Sequence, residues 1–237
     1  MIQNCRVTCL VDNCVALSSA LWGEHGLSFL VEAGESLILF DTGQSGAVLQ
    51  HNLEALKLDG RRVRAIVLSH GHYDHTGGLL AALAWAQAAE IVAHPQLFAR
   101  RFSRRTADGK TQLKEIGFPF DREEIARMRR WQLHGELAEI APDIWITGQI
   151  PRVRGQGTTE PRLVVKTAEG LRPDPFLDDQ SLILDTAKGL VLVLGCCHAG
   201  LLNTVEHARR SLRKPIYTIL GGSHLGPEKA ERVHEIA

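Results

Sequence analysis

The sequence carries no net charge: its 27 lysines and arginines match its 27 aspartates and glutamates. Such a balance creates no long-range field for nucleic acid or an anionic membrane surface, and neither is expected as a partner. Long apolar runs are missing too. No stretch approaches the roughly 20 continuous apolar residues that span a bilayer, and the first residues lack the basic region and apolar core of a secretory signal. The five cysteines, Cys5, Cys9, Cys14, Cys196 and Cys197, are odd in number, and two are adjacent, which argues against a disulfide framework. Reduced thiols and no export signal make the cytoplasm the expected compartment. No internal repeat or low-complexity segment is evident.

What is present is an ordinary globular composition, 44% hydrophobic and 23% charged over 237 residues, enough to bury a sizeable core. Between Arg100 and Arg130, however, basic residues outnumber acidic ones. The commoner meaning is a solvated, helix-forming surface; the same run could instead present positive potential to an anionic ligand.

Residues 5–12, 27–33 and 36–41 read as strands, the last two joined by a tight Gly34-Glu35 turn. Leu49, Leu53 and Leu56 recur at helical spacing and predict a helix over 46–58, followed by a buried strand at 64–69. Residues 79–90 are rich in strong helix formers, and 91–95 form the next strand, stopped by proline. The segment 97–142 reads as mostly helix and loop, 143–148 as a strand and 149–162 as a loop. Residues 181–198 predict two apolar strands around a Lys188-Gly189 turn, 200–212 an amphipathic helix, 215–224 a strand with a polar tip, and 227–237 a final helix opened by Pro227. Two groups of strands separated by helices predict a layered α/β domain over 1–237, with a helical and loop insertion around 97–162.

One stretch in this pattern bears chemistry. In LSHGHYDHTGG, residues 68–78, His70, His72, Asp74 and His75 lie between an apolar strand and two glycines. In an extended segment side chains two apart share a face, so His70 and His72 can aim at one point with Asp74 on the same side. His75 can serve a second point. Zn²⁺ takes imidazole nitrogen at ~2.0–2.1 Å and carboxylate oxygen at ~2.0–2.2 Å, and paired hydrolytic cations stand ~3.5–4 Å apart. The cluster therefore predicts one or two Zn²⁺ ions, a binuclear site in the second case, with Mn²⁺, Fe²⁺ or Mg²⁺ as alternatives. Lone histidines are usually surface residues, but this combination behind a buried strand is not a lone histidine. A barrel-type hydrolase with His-x-His after a strand needs around 250 residues and eight βα units, which this chain does not display.

The SHGHYDHTGG segment resembles the His-x-His-x-Asp-His signature of the metallo-β-lactamase-fold superfamily. Residues 24–46 (EHGLSFLVEAGESLILFDTGQSG), with VAHP, GCCHAGLLNTVEHA and GGSHL, are similar to one branch of it. That branch is described as 7,8-dihydropterin-6-methyl-4-(β-D-ribofuranosyl)aminobenzene-5′-phosphate synthase-like, or simply as metal-dependent hydrolases. The resemblance implies a four-layer αββα sandwich, with His70 and His72 on one cation and Asp74 and His75 on the second. Asp41 in FDTG would support the site by hydrogen bonding rather than by ligation, as such carboxylates orient metal-binding imidazoles; a turn-forming aspartate before Thr42-Gly43 is the lesser reading.

The chain departs from the superfamily pattern at several positions. Relatives often carry a histidine at the start of the hairpin, where this sequence has Asp178-Asp179-Gln180. His198 is the first choice to replace that ligand and His94 the second, with Asp179 beside them. Cys196 stands where an aspartate usually bridges the cations; a thiolate can ligate Zn²⁺ there, and a buried cysteine is equally a common core residue. His224 is the candidate final histidine on the second cation. His25, His51, His134, His207 and His234 read as surface or packing residues, His25 being the one that lines the site. Members of the branch continue into a further strand and a His-Cys-Thr-Gly segment, whereas this sequence stops at Ala237, so a metal-binding protein with a vestigial site is one expectation. The main one is hydrolysis of an ester-type small molecule, a phosphoester, thioester or lactone, by a metal-activated water that Asp74 orients; Arg152, Arg154 and the 100–130 segment could recognise a phosphate on an anionic substrate. Condensation of a dihydropterin diphosphate with an arylamine is the alternative from another class.

Overall fold

In the computed structural model, residues 1–155, 157, 160–226 and 230–236 are described. Strands β1 (Cys5–Val11), β2 (Ser28–Ala33), β3 (Ser36–Phe40), β4 (Ala65–Val67), β5 (Glu90–Ala93) and β8 (Trp131–Leu133) form a six-stranded sheet in that order. The β1-β2-β3 part is antiparallel and the β3-β4-β5-β8 part parallel. The second sheet is ordered β15 (Ile216–Gly221), β14 (Gly189–Leu194), β13 (Ser181–Thr186), β10 (Ile144–Ile146), β9 (Ala138–Ala141).

Three apolar clusters define four layers. Strand side chains alternate in direction, so neighbouring residues of one strand serve different layers. Ile38, Phe40, Val67 and Val92 of the first sheet meet Ile144, Ile146, Leu182, Leu184, Val191 and Val193 of the second. On the other face of the first sheet, Leu39, Ile66 and Ile91 pack against Leu49 and Leu53 of α1 (Gly46–Ala55), Leu79 and Leu83 of α3 (Leu79–Trp85) and Ile125 of α4 (Arg122–Met128). Ile183, Leu190, Leu192 and Leu194 of the second sheet meet Val205, Ala208 and Leu212 of α5 (Leu201–Leu212). The architecture is the expected αββα sandwich. Burial on both faces explains why β3, β4, β13 and β14 read as unbroken apolar runs rather than alternating ones. A four-residue helix, α2 (Tyr73–Thr76), lies inside the histidine cluster, and α6 (Ala230–Ile236) ends the described chain; the opening of that helix by Pro227 falls outside the described residues. Among the described residues, no helix is long and apolar enough to cross a membrane.

The structure corrects the reading of 97–142. The basic run is mainly not helix but a β-hairpin, β6 (Arg101–Ala107) and β7 (Lys110–Glu115), with α4 the one α-helix in that range. β6 also pairs with β11 (Leu163–Thr167), which pairs with β12 (Gly170–Pro173), giving a third, antiparallel sheet ordered β12-β11-β6-β7. Strands β7 and β12 are exposed along their whole length, so neither carries the apolar face by which a strand is recognised. The turn between β13 and β14 also slips by one residue: Thr186 pairs with Gly189, leaving Ala187-Lys188 at its centre.

Candidate metal centre

The histidine cluster begins where β4 ends. Asp41, at the end of β3, holds a left-handed backbone (φ 58°) and turns its buried carboxylate back into the fold. Its Oδ1 accepts the Ser69 backbone N–H (2.7 Å), while Oδ2 accepts both the Ser69 hydroxyl (2.7 Å) and His75 Nδ1 (2.7 Å). Because the Ser69 proton goes to Asp41, Ser69 Oγ must accept from His70 Nδ1 (2.9 Å). His70 is thereby fixed in the tautomer whose Nε2 carries a lone pair, and His75 has Nδ1 committed to Asp41 with Nε2 turned toward the cluster.

Around these rings the two sheets bring in donors from distant parts of the chain. One donor atom each from His70, His72 and His198 lies within 4.8 Å of the others, and the same holds for His70, His75 and Cys196 and for Cys196, His198 and His224. Cys196 Sγ is 3.6 Å from His224 Nδ1, and Asp74 Oδ2 is 3.5 Å from His75 Nε2. His70, His72, Asp74, His75 and His198 are all buried. Burial, followed by neighbouring cationic imidazoles, pushes His70 and His198 well below the ordinary histidine range; burial holds His72 down at about 3, despite the opposing charge of Asp74. These rings are neutral at pH 7, as ligation requires. Burial lowers His75 as well, but the Asp41 and Asp74 carboxylates outweigh it and raise the ring above its usual range. At Cys196 burial favours the thiol, yet hydrogen bonds with His224 and His75 outweigh it and the net shift is downward.

Residues 21–175 match the family described as the metallo-beta-lactamase superfamily. The chain belongs to that superfamily. It is 28% identical over 242 residues to the 7,8-dihydropterin-6-methyl-4-(beta-D-ribofuranosyl)-aminobenzene-5′-phosphate synthase of Methanocaldococcus jannaschii, covering 98% of this chain and 81% of the relative. An uncharacterized protein of the same organism is 31% identical over 217 residues, covering 91% of this chain and 78% of that one. Among solved structures, Tm1679, a metal-dependent hydrolase of the beta-lactamase superfamily, superposes with a TM-score of 0.81 at 26% identity, covering 98% of this chain and 82% of that one. A quorum-quenching N-acyl homoserine lactone lactonase shares the fold at a TM-score of 0.52 and 15% identity, over 97% of this chain and 95% of that one.

In this superfamily member the residues present fit a cation. Buried polar atoms are normally paired, yet His70 Nε2, His72 Nε2, both ring nitrogens of His198 and His224 Nε2 are buried without a hydrogen-bond partner. His94, the second choice for the missing ligand, stands outside the donor groups; its Nδ1 instead accepts the Gln96 N–H (3.1 Å) and caps the turn at Pro95–Phe98. Asp179 stands outside the donor groups; its Oδ2 accepts the Ala199 N–H (2.7 Å) next to His198, while its Oδ1 is buried without a hydrogen-bond partner. His25 Nε2 is 3.4 Å from Asp74 Oδ2, on the wall of a cleft of about 340 Å³ that Asn13, Leu27, Asp74, His75 and Cys196 also line.

The arginines expected to bind an anion are less available than the sequence suggests. Arg152 donates to the carbonyls of Ile150, Pro175 and Phe176, and Arg101 lies buried against two aspartates, whereas Arg104 and Arg105 stay exposed on β6. Three supporting residues went unmarked in the sequence. Ser69 relays Asp41 to His70, Phe176 stacks flat on His198 (4.1 Å between centroids, 6° between planes), and Arg101 hides within a basic run. Only the Ser69 position, directly before the first histidine, carried a local signal.

Proposed function

We propose that the protein is a metal-dependent hydrolase that opens an ester-type bond, such as a phosphoester, thioester or lactone, in a small molecule. The observation that carries this reading is the set of buried, unpartnered nitrogens of His70, His72 and His198 facing one another. These three residues would hold one cation, and Asp74, His75, Cys196 and His224 a second. Imidazole and thiolate donors together favour Zn²⁺. A cation held there supplies Lewis acidity, making water a nucleophile near pH 7 and polarising the ester oxygen.

The chain's own residues do the rest. Asp41 and Ser69 hold the His70 ring in the ligating tautomer, and Asp41 holds His75 by its Nδ1. Asp74, which lines the cleft with His25 beside it, orients the attacking water by accepting its hydrogen bond. The cleft admits a small molecule; Arg104 and Arg105 stand exposed on β6, outside its lining. Metal analysis of protein purified without chelators, followed by turnover of phosphodiester, lactone and thioester panels, tests the reading. Absence of stoichiometric metal would indicate a vestigial site and overturn it.

A second reading, transfer rather than hydrolysis, is supported by the 28% identity to the pterin-related synthase. Asp74 would then orient an arylamine toward a pterin carrying a diphosphate leaving group. Turnover of phosphodiesters alone favours hydrolysis; turnover only when pterin diphosphate and arylamine are supplied together favours transfer.

A further inference from the structure

Arg101 is among the largest fully buried side chains, and it lies on the third sheet rather than on the sandwich. A guanidinium that leaves water needs its charge and its donors matched, or the fold bears a large desolvation cost. Here Nε donates to Asp174 Oδ2 (2.7 Å), Nη2 to Asp178 Oδ1 (2.6 Å), and further N–H groups reach the carbonyls of Leu97 (3.3 Å) and Gln96 (3.4 Å).

Each aspartate passes the restraint on to a different part of the histidine group. Asp178 uses its other oxygen, Oδ2, to accept the backbone N–H of Gly71 (2.8 Å), the residue between His70 and His72. Gly71 sits directly on the arginine: a β-carbon there would come within 2.7 Å of Arg101 Nη1 and 2.1 Å of the Leu97 carbonyl oxygen. Asp174 uses Oδ1 to accept the Phe176 N–H (2.8 Å), and the Phe176 ring lies flat on His198. One side chain thus braces the supports of all three imidazoles.

We infer that Arg101 is a positioning residue for the His70, His72 and His198 group, setting the spacing of the rings through Asp178 and Gly71 on one side and through Asp174 and Phe176 on the other. The inference rests on the reading of that group as a cation site. It gives the third sheet a task, since β6 carries the brace into the centre. Hydrogen-bonded partners behind metal ligands typically change affinity by about 10–100-fold when lost.

Removing the guanidinium outright strands two buried carboxylates, so the test uses Arg101→Lys, which keeps the charge but not the fork, and Asp178→Asn, which cannot accept from both Arg101 and Gly71. Arg100→Met, at an exposed ion pair with Glu115, is the control. Chelator-stripped proteins are titrated with Co²⁺ against a chromogenic competitor, the visible Co²⁺ absorption is recorded, and circular dichroism establishes folding at the assay temperature. Folded Arg101→Lys and Asp178→Asn should bind Co²⁺ about 10–100-fold more weakly, with shifted absorption bands, while Arg100→Met matches wild type. Wild-type affinity and spectrum in both variants, with only a lower Tm, would overturn the inference and leave Arg101 a purely structural residue. No Co²⁺ uptake by wild type overturns the cation reading itself, and this inference with it.

Discussion

His75 Nδ1 donates to Asp41 Oδ2 across 2.7 Å, and that same oxygen accepts the hydroxyl of Ser69, which in turn holds His70. One carboxylate oxygen therefore fixes the orientation of two rings. An amide in its place keeps one acceptor and sets a donor where another acceptor is needed. Asp41→Asn should lower metal affinity by about 10–100-fold, measured by competition with a chromogenic chelator. Unchanged affinity would mean that the two rings are held by packing alone.

His198 and His94 were both candidates for the ligand that the Asp178-Asp179-Gln180 segment does not supply, and only His198 has a donor atom within 4.8 Å of His70 and His72. The metal content of His198→Ala should fall below that of wild type, and its turnover by more than the ~10–100-fold typical of outer partners. His94→Ala should keep its metal and lose only the cap on the Pro95–Phe98 turn. Elemental analysis of the two purified variants separates them, and equal metal content in both contradicts the assignment.

His72 gives a pH signature in the chelator-stripped protein. Burial holds its pKa at about 3, against 6.5 in an unfolded chain, so between those values the unfolded state binds a proton that the folded state refuses. Its contribution to stability is whole above pH 6.5 and is lost as the pH falls toward 3. His72→Asn escapes this loss. Relative to wild type it should gain about 1.4 kcal/mol for each pH unit of descent through that window, read from urea denaturation at several pH values. A difference that does not vary with pH would show that the ring is free to protonate in the fold.

Phe176 is buried and stacks on His198, with His72 edge-on at 5.7 Å. Phe176→Ala should cost about 3–5 kcal/mol of stability in denaturant unfolding, the usual range for a large core deletion. It should also broaden the imidazole NMR signals of His198 more than those of His75, which Asp41 holds independently. Equal broadening at both would argue that the stack does not orient His198.

The parts of this molecule that the sequence disclosed are those encoded locally. His70, His72, Asp74 and His75 lie within one short loop, and apolar runs such as 190–194 mark where strands end and where Cys196 and His198 must begin. The β6-β7 hairpin was missed because KTQLKE is exposed at every position and built from residues that also favour helices. Arg101 and Phe176 were invisible for another reason. Their roles depend on Asp178, 77 residues away, and on the ring of His198, and no spacing rule connects such positions. The sequence marks Asp178-Asp179 as the place of a missing histidine and Asp179 as a possible neighbour of the site, whereas the fold uses the pair to hold the backbone at Gly71 and Ala199.

His224 follows β15, the outermost described strand of its sheet, whereas His70 and His72 follow β4, which has paired strands on both sides. A strand with a single neighbour opens more readily than one in the middle of a sheet. The donor group is therefore uneven in time: amide hydrogens of Ile216–Gly221 should exchange with solvent before those of Ala65–Val67, and His224 should part from Cys196 and His198 before His70 parts from His72.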